Sequence, residues 1–145
     1  MMIETERLIL RQMTYDDFDT LYEIFSDAET MTHYPAPFDR DKVISWIKWN
    51  IENYEKYGFG LWAVVLKETG IVIGDCGLTM QNIDNEILPE IGYHIHKKYQ
   101  RNGYGSEAAR AVRDWAFENT NYDCLYSYMK YTNIGSYSTA LANGM

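Results

Sequence analysis

Hydrophobic and polar positions along the chain change period several times, and each change marks an element. Arg7 to Met13 (RLILRQM) alternates as a strand does. Thr14-Tyr15-Asp16-Asp17 then sets a capping hydroxyl ahead of an acid at the third helical position, which predicts a helix start. Phe18, Leu21, Tyr22 and Phe25 follow at the spacing of one helical face, a pattern that ordinary core packing accounts for. Met31 to Phe38, with Pro35 and Pro37, reads as a loop. Asp39-Arg40-Asp41 opens a second helix with Val43, Ile47, Ile51 and Tyr54 in one stripe, and Gly58 is its C-terminal cap. From Phe59 the period shortens. Phe59 to Leu66, a turn over Lys67 to Gly70, and Ile71 to Met80 predict a hairpin. A polar loop over Gln81 to Glu86 leads to a strand over Leu88 to His96. Beyond a glycine-bearing junction at Lys97 to Tyr104, the apolar face Ala108, Ala111, Val112 and Trp115 predicts a helix. Leu125 to Met129 can form another strand, and Asn133 to Asn143 a short last helix.

Two helices, a run of strands and a strand-helix-strand unit indicate an α/β (α+β) fold: a mixed, mostly antiparallel sheet flanked by helices. The 145 residues suit a single domain over 1–145. With 46% hydrophobic and 23% charged residues, the chain has ample core material, which excludes disorder, collagen and coiled coil. The longest apolar run, Leu61 to Leu66, falls far short of the roughly 20 residues a membrane helix needs, so no membrane partner is expected. The opening Met-Met-Ile-Glu-Thr-Glu has acids where a signal peptide carries basic residues, so a cytoplasmic setting is expected. Cys76 and Cys124 suit neither a disulfide framework nor a zinc site and read as buried thiols. A formal charge of -8 disfavours nucleic acid and favours cationic ligands.

Against that charge, the junction stands out. Gln100-Arg101-Asn102-Gly103-Tyr104-Gly105 lies between a strand and a helix, where backbone amides converge on a helix N-terminus and favour an anion. Glycines at 103 and 105 remove Cβ atoms that would keep a phosphate from the backbone, and His96, Lys97, Lys98 and Arg101 gather positive charge beside it. A solvated turn with surface lysines would read the same way. Neither a dinucleotide fingerprint, whose third glycine would fall at Ala108, nor a P-loop Lys-Ser or Lys-Thr is present.

The string does match Q/R-x-x-G-x-G/A, the pyrophosphate-binding signature of the GNAT superfamily of N-acetyltransferases, which the chain resembles. Further segments resemble the branch containing ribosomal-protein N-terminal acetyltransferases. They are Thr5-Glu6-Arg7-Leu8-Ile9-Leu10-Arg11, Glu90-Ile91-Gly92-Tyr93, Gly103-Tyr104-Gly105-Ser106-Glu107-Ala108 and Asn133-Ile134-Gly135-Ser136, in the family's order. The resemblance implies acetyl-CoA as cosubstrate, with its pyrophosphate on the amides of Arg101, Asn102, Gly103, Tyr104, Gly105 and Ser106. It also implies pantetheine beside Tyr93, His94 and Ile95, whose N–H groups would pair with its amides, and a cofactor contact from Asn133. An N-cap role for Asn133 is compatible with the same position.

Amide formation needs a base near the acceptor amine and an acid near sulfur. Glu90 is the candidate base, although a structural carboxylate paired to an arginine would fit as well. The tyrosine that many members place seven residues after the Asn is Ala140 here; the resemblance to the ribosomal-protein branch, whose N-x-x-S serine often lies near the sulfur, implies Ser136 as the candidate acid, with Tyr137 behind it, and a helix-start hydroxyl is the alternative for Ser136. His94 and His96 share a strand face but lack further ligands at sensible spacing, so no metal is expected. Tyr34, Pro35 and Phe38 lie where the family encloses its acceptor, and Asp27, Glu29 and Asp39 nearby suit a cationic amine or simply solvate the loop. In the family two more strands follow the position of Gly144-Met145, so the sheet is expected to lack its usual last two strands and to cover the Leu125 to Met129 edge by forming a homodimer. The expected activity is acetyl-CoA-dependent transfer to a primary amine, a peptide N-terminus or small amine. The alternative is a non-catalytic acyl-CoA-binding or dimerisation module of the same fold.

Overall fold

A computed structural model describes residues 2–31, 36–83 and 86–120. Strands β1 (Met2–Glu4), β2 (Leu8–Arg11), β3 (Leu61–Leu66), β4 (Ile71–Ile83) and β5 (Glu86–Ile95) form one sheet in sequential order, joined by helices α1 (Phe18–Phe25), α2 (Arg40–Tyr57) and α3 (Tyr104–Asn119). All four pairings are antiparallel. The strand expected over 125–129, on which the homodimer rests, and the last helix lie outside the described residues, as does Cys124. Among the described residues no helix is long and apolar enough to cross a membrane.

The helix boundaries follow from their caps. Thr14 Oγ1 accepts from the Asp16 N–H at 3.3 Å, and Asp17 Oδ2 accepts from the Thr14 N–H at 2.9 Å. This capping box starts one 3-10 turn, Tyr15–Asp17, that runs straight into α1. The Arg11 guanidinium clasps Asp17 in a fork at 2.9 and 2.8 Å, fixing the corner between β2 and α1. Asp39 Oδ1 accepts from the Lys42 N–H at 2.8 Å, so this acid is the N-cap of α2. Gly58 closes α2 at φ +79°, where its N–H reaches the Tyr54 carbonyl.

Two expectations about packing change. Leu21, Ile24 and Phe25 form the buried side of α1, whereas Phe18 and Tyr22 stack on one another at 5.7 Å on its margin, beneath the Arg40 guanidinium. In α2, Val43, Ile47 and Tyr54 are buried as expected, but buried Asn50 and Asn53 accompany them and Ile51 is only partly covered. Asn50 accepts from the Leu61 N–H at 2.8 Å and donates to the Trp46 carbonyl at 2.9 Å. The Tyr54 hydroxyl accepts from the Met13 N–H at 3.1 Å and donates to the Leu61 carbonyl. These bonds satisfy backbone groups just after β2 and at the start of β3, where the ladder leaves them over.

The strands are also longer than hydropathy suggests. Gln81, Asn82 and Ile83 pair with Leu88, Ile87 and Glu86, so the polar stretch read as a loop is mostly ladder. Hydropathy gives no sign of β1, which pairs Ile3 with Leu10 and buries that one side chain.

Replacing Tyr54 by Phe should cost about 1–3 kcal/mol in urea denaturation, because the buried Met13 N–H loses its acceptor. Unaltered stability would mean that the hydroxyl bridge contributes nothing net.

Candidate active site

The register of β5 decides which way each candidate residue points. The His96 N–H donates to the Ile73 carbonyl at 2.9 Å, continuing the β4–β5 ladder. In an antiparallel pair the inward direction recurs at every second residue, so the N–H groups of Glu90, Gly92 and His94 face β4, and those of Ile91, Tyr93 and Ile95 face the opposite edge. No described strand pairs with that edge. Of the three residues expected to offer N–H groups to a pantetheine, Tyr93 and Ile95 therefore have the required direction. His94 does not: its amide belongs to the ladder.

Side chains alternate likewise. The His94 ring meets Phe25 at 5.5 Å and Trp46 at 5.8 Å, so Glu90, Gly92 and His94 face α1 and α2. A Cβ on Gly105 would lie 2.9 Å from Tyr93 Cε2, which puts Tyr93 under the start of α3 on the other face. Glu90, opposite Thr79, has its carboxyl pushed up to about 7 by loss of solvent. That is the state a base needs near neutral pH, and burial alone accounts for it.

His94 has a different partner from the one expected. Its Nδ1 lies 2.7 Å from Oδ1 of Asp75, which is fully buried and whose Oδ2 accepts from Trp46 Nε1 at 3.0 Å. Phe38 packs on Phe25 and Trp46 and is buried, so it is part of the core; Tyr34 and Pro35 lie outside the described residues. Asp27 accepts from Thr30 Oγ1 at 2.6 Å, and Lys97 Nζ lies 3.6 Å from Asp27 and 3.4 Å from Glu29. These acids are thus engaged with the 97–99 turn.

The same contacts revise the basic cluster. Lys97 turns toward Asp27 and Glu29, and buried His96 accepts the Lys98 N–H at its Nδ1. Lys98 and Arg101 remain exposed beside the junction. A cation that local sequence could not suggest joins them: Arg7, which reaches from the β1–β2 connection to Asn102 and Glu107. The first hydrogen bond of α3 runs from the Glu107 N–H to the Gly103 carbonyl at 3.0 Å, leaving the amides of Tyr104, Gly105 and Ser106 without helical partners. Gly103 supplies no side-chain cap, and Ser106 Oγ is engaged by Arg110 Nη2. Uncapped amides at a helix start fit an anionic group such as a pyrophosphate. The glycines serve a further purpose. Gly103 sits at φ +80° and Gly105 makes room for the Tyr93 ring, so both are required by the protein's own packing.

Asn133 and Ser136, with Tyr137 and Ala140, lie outside the described residues. Among the described residues no group of three or more His, Cys, Asp or Glu side chains is arranged to hold a metal ion. Cys76 is buried in the core, where loss of solvent and then Asp75 push its thiol well up, so it is no nucleophile.

Gly105→Val should therefore lower stability by about 1–3 kcal/mol through displacement of the Tyr93 ring, as well as weakening any anion at the junction. Gly92→Ala is the control, since a Cβ there meets nothing within 4 Å, and should stay within about 0.5 kcal/mol. Equal melting curves for both variants would show that Gly105 is not a packing residue.

Residues 7–145 match the family model of the acetyltransferase (GNAT) domain. A curated relative, the uncharacterized protein YkkB of Bacillus subtilis (strain 168), is 35% identical over 142 residues, covering 97% of this chain and 83% of its own. Among solved structures, an acetyltransferase from Agrobacterium tumefaciens str. C58 superposes with a TM-score of 0.86 at 30% identity, over 99% of this chain and 82% of that one. A putative ribosomal-protein-serine acetyltransferase from Vibrio cholerae does so with a TM-score of 0.81 at 26% identity, again over 99% and 82%. By fold, by sequence and by the order of its motifs, the chain belongs to the GNAT family of acetyltransferases.

Proposed function

We propose that the protein transfers an acetyl group from acetyl-CoA to a primary amine, a peptide N-terminus or small amine, with Glu90 as the base. The observation that carries this reading is the division of labour along β5. One face presents a desolvated carboxyl, the far edge presents the N–H groups of Tyr93 and Ile95, and the strand leads to the uncapped start of α3. Acetyl-CoA supplies an acetyl group already activated as a thioester. The amides of Tyr104, Gly105 and Ser106, with Arg101, Asn102 and Gly103 shaping the turn before them, would hold its pyrophosphate. The amides of Tyr93 and Ile95 would hold its pantetheine arm, and Glu90 removes a proton from the acceptor ammonium, directly or through water. In the same reading Asn133 contacts the cofactor and Ser136 returns a proton to sulfur. A likeness to a putative ribosomal-protein-serine acetyltransferase supports the peptide rather than the small amine as acceptor.

The raised carboxyl of Glu90 favours this reading over a non-catalytic acyl-CoA-binding module, in which no base is needed. Two assays separate them: thiol release from acetyl-CoA with a panel of amines and N-terminal peptides, and a CoA titration. Binding without any release would establish the module.

For an active protein, kcat/KM should rise with pH up to about 7 as Glu90 ionises, then level off as far as this group is concerned. Glu90→Gln should lower kcat by about 100-fold or more, remove that inflection and leave CoA affinity nearly intact. The stability sign is opposite. A carboxyl held up to about 7 favours folding while it is protonated, an advantage fully present below its ordinary pKa and lost as pH rises through 7. Glu90→Gln should thus be more stable than the parent at pH 8 and not at pH 4, as thermal melts would show. A pH profile in which both proteins keep the same inflection would assign the base elsewhere.

A further inference from the structure

Arg7 belongs to the connection between β1 and β2, yet its guanidinium is spent on the start of α3, some hundred residues later. Its Nε donates to Glu107 Oε1 at 2.7 Å and its Nη1 donates to the Asn102 carbonyl at 2.9 Å. Its plane lies over the Tyr104 ring, 4.4 Å from the centroid. The Arg7 backbone N–H also donates to Glu107 Oε2 at 3.0 Å, and Thr5 Oγ1 donates to the same oxygen. One terminal nitrogen is left over. Nη2 has no hydrogen-bond partner among the described residues, and it stands 3.3 Å from where a Cβ of Gly103 would be.

Charge gives this arrangement a direction. Glu107 occupies the first turn of α3, where a carboxylate is favoured by the helix but competes with any other anion for the same field. Burial by itself would raise that carboxyl. The hydrogen bonds from Thr5 and Arg7 outweigh it and hold it below the usual carboxylate range, so the negative charge is permanent at working pH. A phosphate brought to the amides of Tyr104, Gly105 and Ser106 would meet that charge unless a cation cancels it. The Arg7 pair is partly exposed, so its worth lies less in stability than in the field it leaves at the junction.

We propose that Arg7 is a positioning residue for the phosphate-bearing part of the donor. It neutralises Glu107, fixes the carbonyl of Asn102 and thereby the turn before α3, and leaves Nη2 toward the anion. This rests on the acetyl-CoA reading above. Lysine cannot replace it, because one ammonium cannot hold Glu107 and Asn102 in the planar fork and still present a third donor.

The test measures CoA affinity by calorimetry, and steady-state kinetics with acetyl-CoA and with S-acetylpantetheine, which lacks the phosphates. Arg7→Ala and Arg7→Lys should each weaken CoA by about 10-fold or more and raise KM for acetyl-CoA by a like factor, with kcat within about twofold. On S-acetylpantetheine their kcat/KM should fall by no more than about twofold. Glu107→Gln keeps an oxygen for Nε while removing the charge, and should bind CoA at least as tightly as the parent. Adding it to Arg7→Ala should recover a measurable part of the loss, a readout that survives a modest fall in melting temperature. Unaltered CoA affinity in Arg7→Ala, an equal loss on S-acetylpantetheine, or a Glu107→Gln defect as large as that of Arg7→Ala would each overturn the assignment. Failure of the parent protein itself to bind CoA would instead bring down the acetyl-CoA reading.

Discussion

Asp75 has no exposed surface, yet its carboxylate is met from two directions, by Trp46 Nε1 on α2 and by His94 Nδ1 on β5. A buried carboxylate stripped of its donors is strongly destabilising, by about 3–5 kcal/mol when a buried pair is broken. Asp75 and His94 stand opposite one another in the ladder, so this penalty guards the register of β4 against β5. A slip by one residue would turn every side chain of β5 over. Glu90 would then face α3, and Tyr93 would leave the place where Gly105 rests on it. The position of the candidate base and the seat of the helix that follows are thus consequences of the same buried contact.

The two faces of the sheet carry different kinds of material. Toward α3 lie Ile91, Cys76, Leu78 and Trp62, an apolar layer in which Trp62 meets Trp115 edge to face at 5.0 Å. Toward α1 and α2 lie the polar side chains Asp75, Thr79, Glu90 and His94, of which Asp75 and His94 meet the Trp46 ring and His94 also meets Phe25. Polar groups set into a packed layer lose water, and each then depends on the partners it finds there. Glu90 is the case in which that loss is least compensated.

Much of this was legible in the sequence, and the parts that were not share a cause. Asp39 and Gly58 delimited α2 because caps are local chemistry. Glu90, Gly103 and Gly105 could be singled out from their neighbours in the chain. The direction of the His94 amide could not, since it depends on the parity of a ladder begun at a hairpin some eight residues earlier. The ladder over Gln81 to Ile83 reads as a loop in the sequence because backbone pairing, not hydropathy, holds it. Lys97 was assigned to the junction on adjacency alone, while the cation that reaches it, Arg7, comes from the opposite end of the described chain. Ile3, alone in a three-residue strand, leaves no periodicity to detect.

The connection from α1 to α2 is anchored on both sides of the segment 32–35. Met31 is buried and its N–H donates to the Asp27 carbonyl at 3.0 Å, while the Phe38 N–H donates to the Phe25 carbonyl at 2.8 Å. The described part of this connection is therefore held at Met31 and at Phe38 by backbone groups at the C-terminal end of α1. Because both anchors hang from the end of one helix, any displacement of α1 is carried to Met31 and Phe38 together, and through Phe38 to the Trp46 ring of α2.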